Sequence, residues 1–296
     1  MGKAINLKRA HVRDAKQISM MSEKISDPSR LCIHTVTTKP LSLANAAAAY
    51  EKAGVRGITV WRDALEGTEP GAAGAILRDH GLEIVSYCRG GFFPSVEERK
   101  RAEALDENRR IIDEAHALGA PLIVLVCGAD PGQSLSVSRD QICEGIETIL
   151  PHAKEAGVRL AIEPLHPMYS DTRSAINTML QANDACEQIG SDYVGVAVDV
   201  YHLWWDDSLE KEIVRCGEAG NLFAFHVCDW RVPTEDLLLD RGLMGEGCID
   251  IPRIRGWVEQ AGFRGFNEVE IFSKRYWEMD QAVYLDKIVD AYLNYV

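Results

Sequence analysis

A single (β/α)8 TIM barrel with a short N-terminal extension is the architecture this sequence predicts, and two observations predict it. From Leu31 to the end of the chain, short apolar runs alternate eight times with helical patterns, the repeat that a closed parallel sheet wrapped in helices requires. Four helical stretches close on AGVRG, AGVRL, LGAPL or AGFRG before the next run begins. Glycine there supplies the positive backbone torsion that ends a helix and turns the chain back. The 296 residues suit one barrel of about 250 residues or two smaller domains, and no linker rich in Pro, Gly or Ser divides them. An open doubly wound sheet is the competing architecture, but no run leads into a glycine-rich dinucleotide turn.

Residues 1–30, mixed and charged, read as an extension, a helix or arm packing outside the domain or on a partner; residues 31–296 read as the barrel. In order, RLCIHTV precedes helical PLSLANAAAAYEKAG, VRGITVW precedes GAAGAILRDHG, LEIVSYC precedes SVEERKRAEALDENRRIIDEAHALG, and PLIVLVCG precedes a helix around 140–156. The second half continues with VRLAIEP, a helix over 172–188, YVGVAVDV, a helix over 209–219, LFAFHVCD, a helix over 251–261, FNEVEIF and a terminal helix from about 276. Each run is almost continuously apolar because a barrel strand is covered by helices on one face and by the packed interior on the other.

Lys and Arg number 32 against 45 Asp and Glu, a net charge of -13, which disfavours a nucleic-acid or anionic-membrane partner. The N-terminus has no signal-peptide core and no run long enough to span a bilayer, so a cytoplasmic protein is expected. Gly2 is followed by Asn6 where myristoylation asks for Ser or Thr. The eight cysteines form no CxxC pair and lie mostly in apolar segments, which points to reduced thiols rather than a disulfide scaffold. Cys228, between His226 and Asp229, is the candidate pocket thiol.

The chemistry concentrates at the ends of the last four runs: Glu163 in RLAIEPLHP, Asp199 in VGVAVDVYH, His226 in LFAFHVCDW and Glu270 in FNEVEIFS. On a parallel barrel those ends share one mouth. Three carboxylates and one imidazole there would repel one another without a cation, so the set predicts a divalent metal site: Mn2+ first, with Zn2+, Co2+ and Mg2+ possible. Alternation puts Glu268 on the same side as Glu270 but deeper, where an inner arginine or histidine would pair with it. His202 follows Asp199 by three residues, and Arg231 lies just beyond His226. These two, with His166, Trp61 and Trp205, are the expected substrate contacts; Trp204 and Trp230 are further rim candidates. Adjacent Trp204 and Trp205 cannot both face the pocket. His34 fits the pocket and the packing layer equally, and Arg62, Arg89 and the GGFFP loop are weaker candidates for substrate or phosphate contact.

With those residues in place, the chain resembles the xylose isomerase-like TIM-barrel superfamily, in particular its sugar phosphate isomerase/epimerase branch, which includes inosose isomerases, ketose 3-epimerases and hydroxypyruvate isomerases. The resemblance runs from about Leu31 to Val296 and implies the ligand set Glu163, Asp199, His226 and Glu270. The pair Asp199 and His202 and the GxGxxD turn in GEGCID match its pattern, and Arg231 matches an arginine of the ketose 3-epimerases. His166 and Tyr169 replace the asparagine and second glutamate of that group.

The expected activity is metal-dependent isomerisation or epimerisation of a small sugar, keto-sugar or inosose by proton transfer through an enediolate, with Glu163 and Glu270 as the acid-base pair. A dehydratase or lyase acting on a keto-sugar with the same site is the alternative. The resemblance also implies a homo-oligomer.

Overall fold

The computed structural model describes residues 24–296, so most of the expected extension lies outside the described residues. The elements run β1 (Leu31–His34), α1 (Leu43–Lys52), β2 (Gly57–Trp61), α2 (Pro70–Asp79), β3 (Glu83–Gly91), α3 (Glu98–Leu118), β4 (Leu122–Val126) and α4 (Leu135–Ala156). They continue with β5 (Arg159–Ile162), α5 (Met179–Ile189), β6 (Val194–Asp199), α6 (Val200–Leu203), α7 (Leu209–Glu218), β7 (Leu222–Val227), β8 (Asp229–Trp230), β9 (Arg241–Gly242), α8 (Ile251–Gln260), β10 (Asn267–Val269), α9 (Lys274–Trp277) and α10 (Gln281–Tyr295). The barrel closes in the order β1-β10-β7-β6-β5-β4-β3-β2. Strands β4 and β6 are buried at every residue, which explains why their sequence shows no polar alternation.

The glycines of the four closing motifs all take positive φ. At Gly119 and Gly157 that torsion caps α3 and α4 directly: the amide of each donates back to the last turn, and the following residue enters the next strand. At α4, α5 and α10 the helix start is set by a side-chain oxygen. Ser134 accepts from the Val137 amide, so α4 begins at Leu135, earlier than the apolar pattern indicates. Thr178 accepts from the Gln181 amide, so α5 begins at Met179, and 172–178 is a connection rather than the first turns of a helix. The terminal helix is likewise divided into α9 and α10, the latter capped by Asp280.

Two features depart from a plain eightfold repeat. Strands β8 and β9 form a small antiparallel pair after β7, too short for a sequence pattern to register. In β3, Cys88 pairs with Val124 and Gly90 with Leu125, which leaves Arg89 as the extra residue of a bulge. The end of that strand is fixed by buried Asn108 on α3: its Oδ1 accepts from the Gly91 amide at 2.7 Å, and its Nδ2 donates to the Gly91 and Ala104 carbonyls, each at 2.8 Å. All eight cysteines are free, and seven are buried. Among the described residues no helix is long and apolar enough to cross a membrane.

Replacing Asn108 with alanine strands the Gly91 amide and carbonyl in the interior. The expected cost is about 2 to 3 kcal/mol, read as a lower urea midpoint at unchanged slope. A midpoint equal to that of the wild type would show that Asn108 does not hold the strand end.

Candidate metal centre and active site

Side chains reach the barrel axis by the two-residue alternation of each strand. Ala161, Ala197 and Ala224 pack with Cys88, Leu122 and Val124 inside the barrel. Two residues beyond the three alanines stand Glu163, Asp199 and His226, and two beyond Glu268 stands Glu270. Strands β5, β6, β7 and β10 are consecutive staves, so the four groups arrive side by side at one mouth. All are buried, and one ligand-capable atom from each lies within 4.8 Å of the others.

The donor set fits a divalent cation. His226 turns Nδ1 into the carboxylates, 2.9 Å from Glu163 Oε1. Its Nε2 faces Glu268 Oε2 at 3.8 Å and has no hydrogen-bond partner among the described residues. An imidazole that lends Nδ1 to a metal keeps its proton on Nε2, and Glu268 stands where a carboxylate would orient that proton. Glu268 itself belongs to the layer below. Its Oε2 accepts from Thr59 Oγ1 at 2.6 Å, His34 Nε2 at 3.1 Å and Ser86 Oγ at 3.3 Å. Two other groupings, His34 with His226 and Glu268, and His34 with Cys88 and Glu270, reuse these committed atoms and are set aside.

Arg241, at the start of β9, holds the upper layer together. Its Nη1 donates to Glu270 Oε2 at 2.7 Å and to Asp199 Oδ2 at 3.1 Å, and its guanidinium lies over the Tyr201 ring at 4.3 Å. Nη2 lies 3.1 Å from His202 Nε2, which accepts from it. The His166 amide lies 3.2 Å from His202 Nδ1; a neutral ring accepts at one nitrogen only, so the two contacts are not both full hydrogen bonds. Burial, reinforced by the Arg241 charge, holds His202 well below the usual histidine range.

The charges sort by partner. Burial pushes Asp199 up to about 7, with Glu270 and Glu163 adding to the rise and Arg241 opposing it. Burial would also raise Glu270, but Arg241 and His34 hold it well below the ordinary carboxylate range. In His34 burial is outweighed by hydrogen bonds to Glu268 and Glu270, and in His226 by the Glu268 charge and the Glu163 bond; both are raised to about 9.

A cavity of about 20 Å³ over the cluster is lined by Trp61, Tyr169, Arg173, His202, Leu238 and Arg241 among others. Of the expected substrate contacts, Trp61 and His202 line this cavity. His166, Trp205 and Arg231 do not line this cavity. His166 packs against Trp205 and Trp230 at ring separations of 5.6 and 5.2 Å, Trp205 donates to the His202 carbonyl, and Arg231 is ion-paired with Asp240. Trp204 is exposed and tilts onto Trp230. His34 joins the buried network, and Cys228 lies 3.8 Å from Arg241 Nη1. Arg62 is occupied by Glu107 and Glu114.

The residues the sequence did not single out are Arg241, Arg173, Phe272 and Leu238. Arg241 lies four residues before the first glycine of the GEGCID turn, a position that could have drawn attention to it. The segment 231–240 crosses the mouth: the Tyr169 and Tyr201 hydroxyls both donate to the Leu237 carbonyl, at 2.7 and 2.9 Å.

Comparison with known proteins agrees with this architecture. The profile of the xylose isomerase-like TIM barrel family matches residues 47–288. An inosose isomerase of Halalkalibacterium halodurans is 26% identical over 196 residues, 64% of this chain and 66% of the relative. This chain thus spans about two thirds of that protein. The crystal structure of a protein from Sinorhizobium meliloti 1021 is 46% identical, covers 90% of this chain and 98% of its own, and superposes with a TM-score of 0.86. The IOLI protein, crystallised with a bound zinc atom, is 20% identical with a TM-score of 0.77, covering 90% of this chain and 99% of its own. On the family match and the closed eight-strand barrel, this chain belongs to the xylose isomerase-like TIM-barrel family.

Proposed function

We propose that the chain is a metal-dependent isomerase or epimerase of a small keto-sugar or inosose, moving a proton at the carbon beside a carbonyl through an enediolate. The observation that carries this reading is the placement of Glu163 and Glu270 at the two ends of the four-stave cluster, with Asp199 and His226 between them. The inosose isomerase relatives support the substrate class. Glu163, Asp199, His226 and Glu270 would hold a cation, which would supply electrostatic stabilisation to the negative charge that develops on the substrate. Mn2+ suits the oxygen-rich donor set, and the zinc atom in the IOLI protein keeps Zn2+ beside it.

The protein's own groups divide the remaining work. Glu163 and Glu270 flank the reacting carbon, one accepting its proton and the other returning a proton from the opposite side. Glu270, held ionised by Arg241 and His34, starts as the base of the pair. Neutral His202 accepts from Arg241 and so holds that guanidinium in place, Arg241 neutralises charge beside Glu270, and Trp61 offers an indole face to sugar C–H groups. Leu238 and Phe272 exclude water from the reacting carbon.

Glu163→Gln and Glu270→Gln should each lower turnover by about 10²- to 10⁴-fold, with the metal content of each variant measured by elemental analysis. A Glu163→Gln protein that holds metal and turns over at the wild-type rate would remove the acid-base role. In D2O the wild type should place deuterium on the carbon beside the carbonyl of keto-sugars or inososes without loss of water. Net loss of water would assign the site to a dehydratase.

Metal binding should also release protons. His226, raised to about 9 in the metal-free protein, is protonated near neutrality and must lose that proton before Nδ1 can ligate. At about pH 7.5, calorimetry of Mn2+ binding in buffers of different ionisation enthalpy should show release of about one proton, with affinity falling as pH falls. Affinity independent of pH between about 6 and 8 would take His226 out of the ligand set.

A further inference from the structure

The cluster accounts for the reacting end of a substrate and leaves two arginines at the same mouth unexplained. Arg89 is the extra residue of the β3 bulge, and bulges re-aim a side chain out of the strand alternation. Its Nη1 is buried and has no hydrogen-bond partner; its guanidinium rests on the Phe92 ring at 4.5 Å. Arg173, in the connection after β5, lies over the Tyr169 ring at 5.5 Å and lines the cavity above Glu163 and Glu270. Burial lowers the Arg89 pKa and the Arg173 charge lowers it further, against the upward pull of Cys88, Glu163 and Glu270.

Neighbouring charges are treated differently. A cavity of about 470 Å³ opens beside the cluster, sharing Trp61 and Phe272 with it and lined also by Lys39, Arg62, Asp63 and Arg89. There Lys39 meets Asp63 at 4.0 Å, and Arg62 is held by Glu107 and Glu114. Among the described residues, Arg89 and Arg173 have no ion pair and donate no side-chain hydrogen bond. For partly buried Arg89 the desolvation and the like charge of Arg173 outweigh the Glu163 and Glu270 carboxylates, which the metal centre engages. An oxyanion between them removes both penalties and accepts forked N–H donors from each.

Resting on the keto-sugar reading above, we propose that the substrate is anionic: its reacting carbons lie at the cluster, and a phosphate or carboxylate group remote from them is bound by Arg89, which lines the adjoining cavity, and by Arg173, which lines the space over the cluster. The bulge positions one arginine, the stretch after β5 positions the other, and Asn108 fixes the end of the strand that carries Arg89. Neutral hexoses leave both guanidiniums unpaired.

Calorimetry on the full metal-loaded chain tests this with matched probes: D-xylulose against D-xylulose 5-phosphate, and D-fructose against D-fructuronate. The wild type should bind the charged member of at least one pair about tenfold or more tightly, and the pair with the larger preference identifies phosphate or carboxylate. In Arg89→Met and Arg173→Met that preference should shrink at least about fivefold. Arg99→Met, which removes an exposed helix cation paired with Glu103, should leave it intact. Equal binding within both wild-type pairs overturns the proposal whether or not the variants fold, as does a preference that survives both arginine substitutions. The two readings fail separately. Deuterium exchange on neutral sugars with no charge preference sinks the anionic substrate and keeps the isomerase. A charge preference lost in the arginine variants, with no exchange on any probe, keeps the oxyanion site and sinks the proposed chemistry.

Discussion

Burying four carboxylates at one end of a barrel is the constraint from which the rest of this site follows. Glu163, Asp199, Glu268 and Glu270 are each less than a twentieth exposed, and carboxylates so placed stay ionised only where cations and donors surround them. The structure answers in two layers. Below, His34, Thr59 and Ser86 converge on Glu268 Oε2. Above, Arg241 ties Asp199 to Glu270 while His226 covers Glu163. His34 spans the layers, with Nε2 at Glu268 and Nδ1 3.1 Å from Glu270.

The layering gives the site its polarity. Glu268, whose Oε2 takes three donors from the layer below, acts by orienting two imidazoles. Asp199 and Glu270 share one guanidinium instead of each having its own, so the upper layer stays short of positive charge. The alanines at 161, 197 and 224 complete the arrangement from beneath. Small side chains there let the three ligand-bearing strands pack tightly, and a larger residue on any one would tilt its neighbour two positions on.

What the sequence made legible follows from periodicity. Glu163, Asp199, His226 and Glu270 stand out because each interrupts an apolar run at its end, and a two-residue repeat shows which side Glu268 shares with Glu270. Arg241 carries as much of the site, yet it lies after a loop whose residues obey no repeat; its place depends on the β8–β9 pairing, two residues on each side. Arg89 was visible only as a basic residue after an apolar run, since a bulge is a fact about register against β4 rather than about composition. Similarly, Arg231 matched by distance from His226, but the chain turns back through 231–240 and gives its guanidinium to Asp240. Helix starts at 135 and 179 were misjudged by several residues for the same reason: Ser134 and Thr178 decide them by single hydrogen bonds, which apolar spacing does not record.

The Leu237 carbonyl, accepting from two tyrosines that belong to different staves, makes the mouth a latched chamber. The space beneath it holds about one water molecule, far less than a sugar needs, so a sugar at the cluster also occupies the adjoining cavity behind Trp61 and Phe272 or loosens the latch. Tyr169 and Tyr201 flank the reacting groups as well as the latch, and once released their hydroxyls are free to meet an incoming polyol. Opening the chamber and recognising what comes into it would then use the same two hydroxyls, coupling the rate of admission to the fit of the guest.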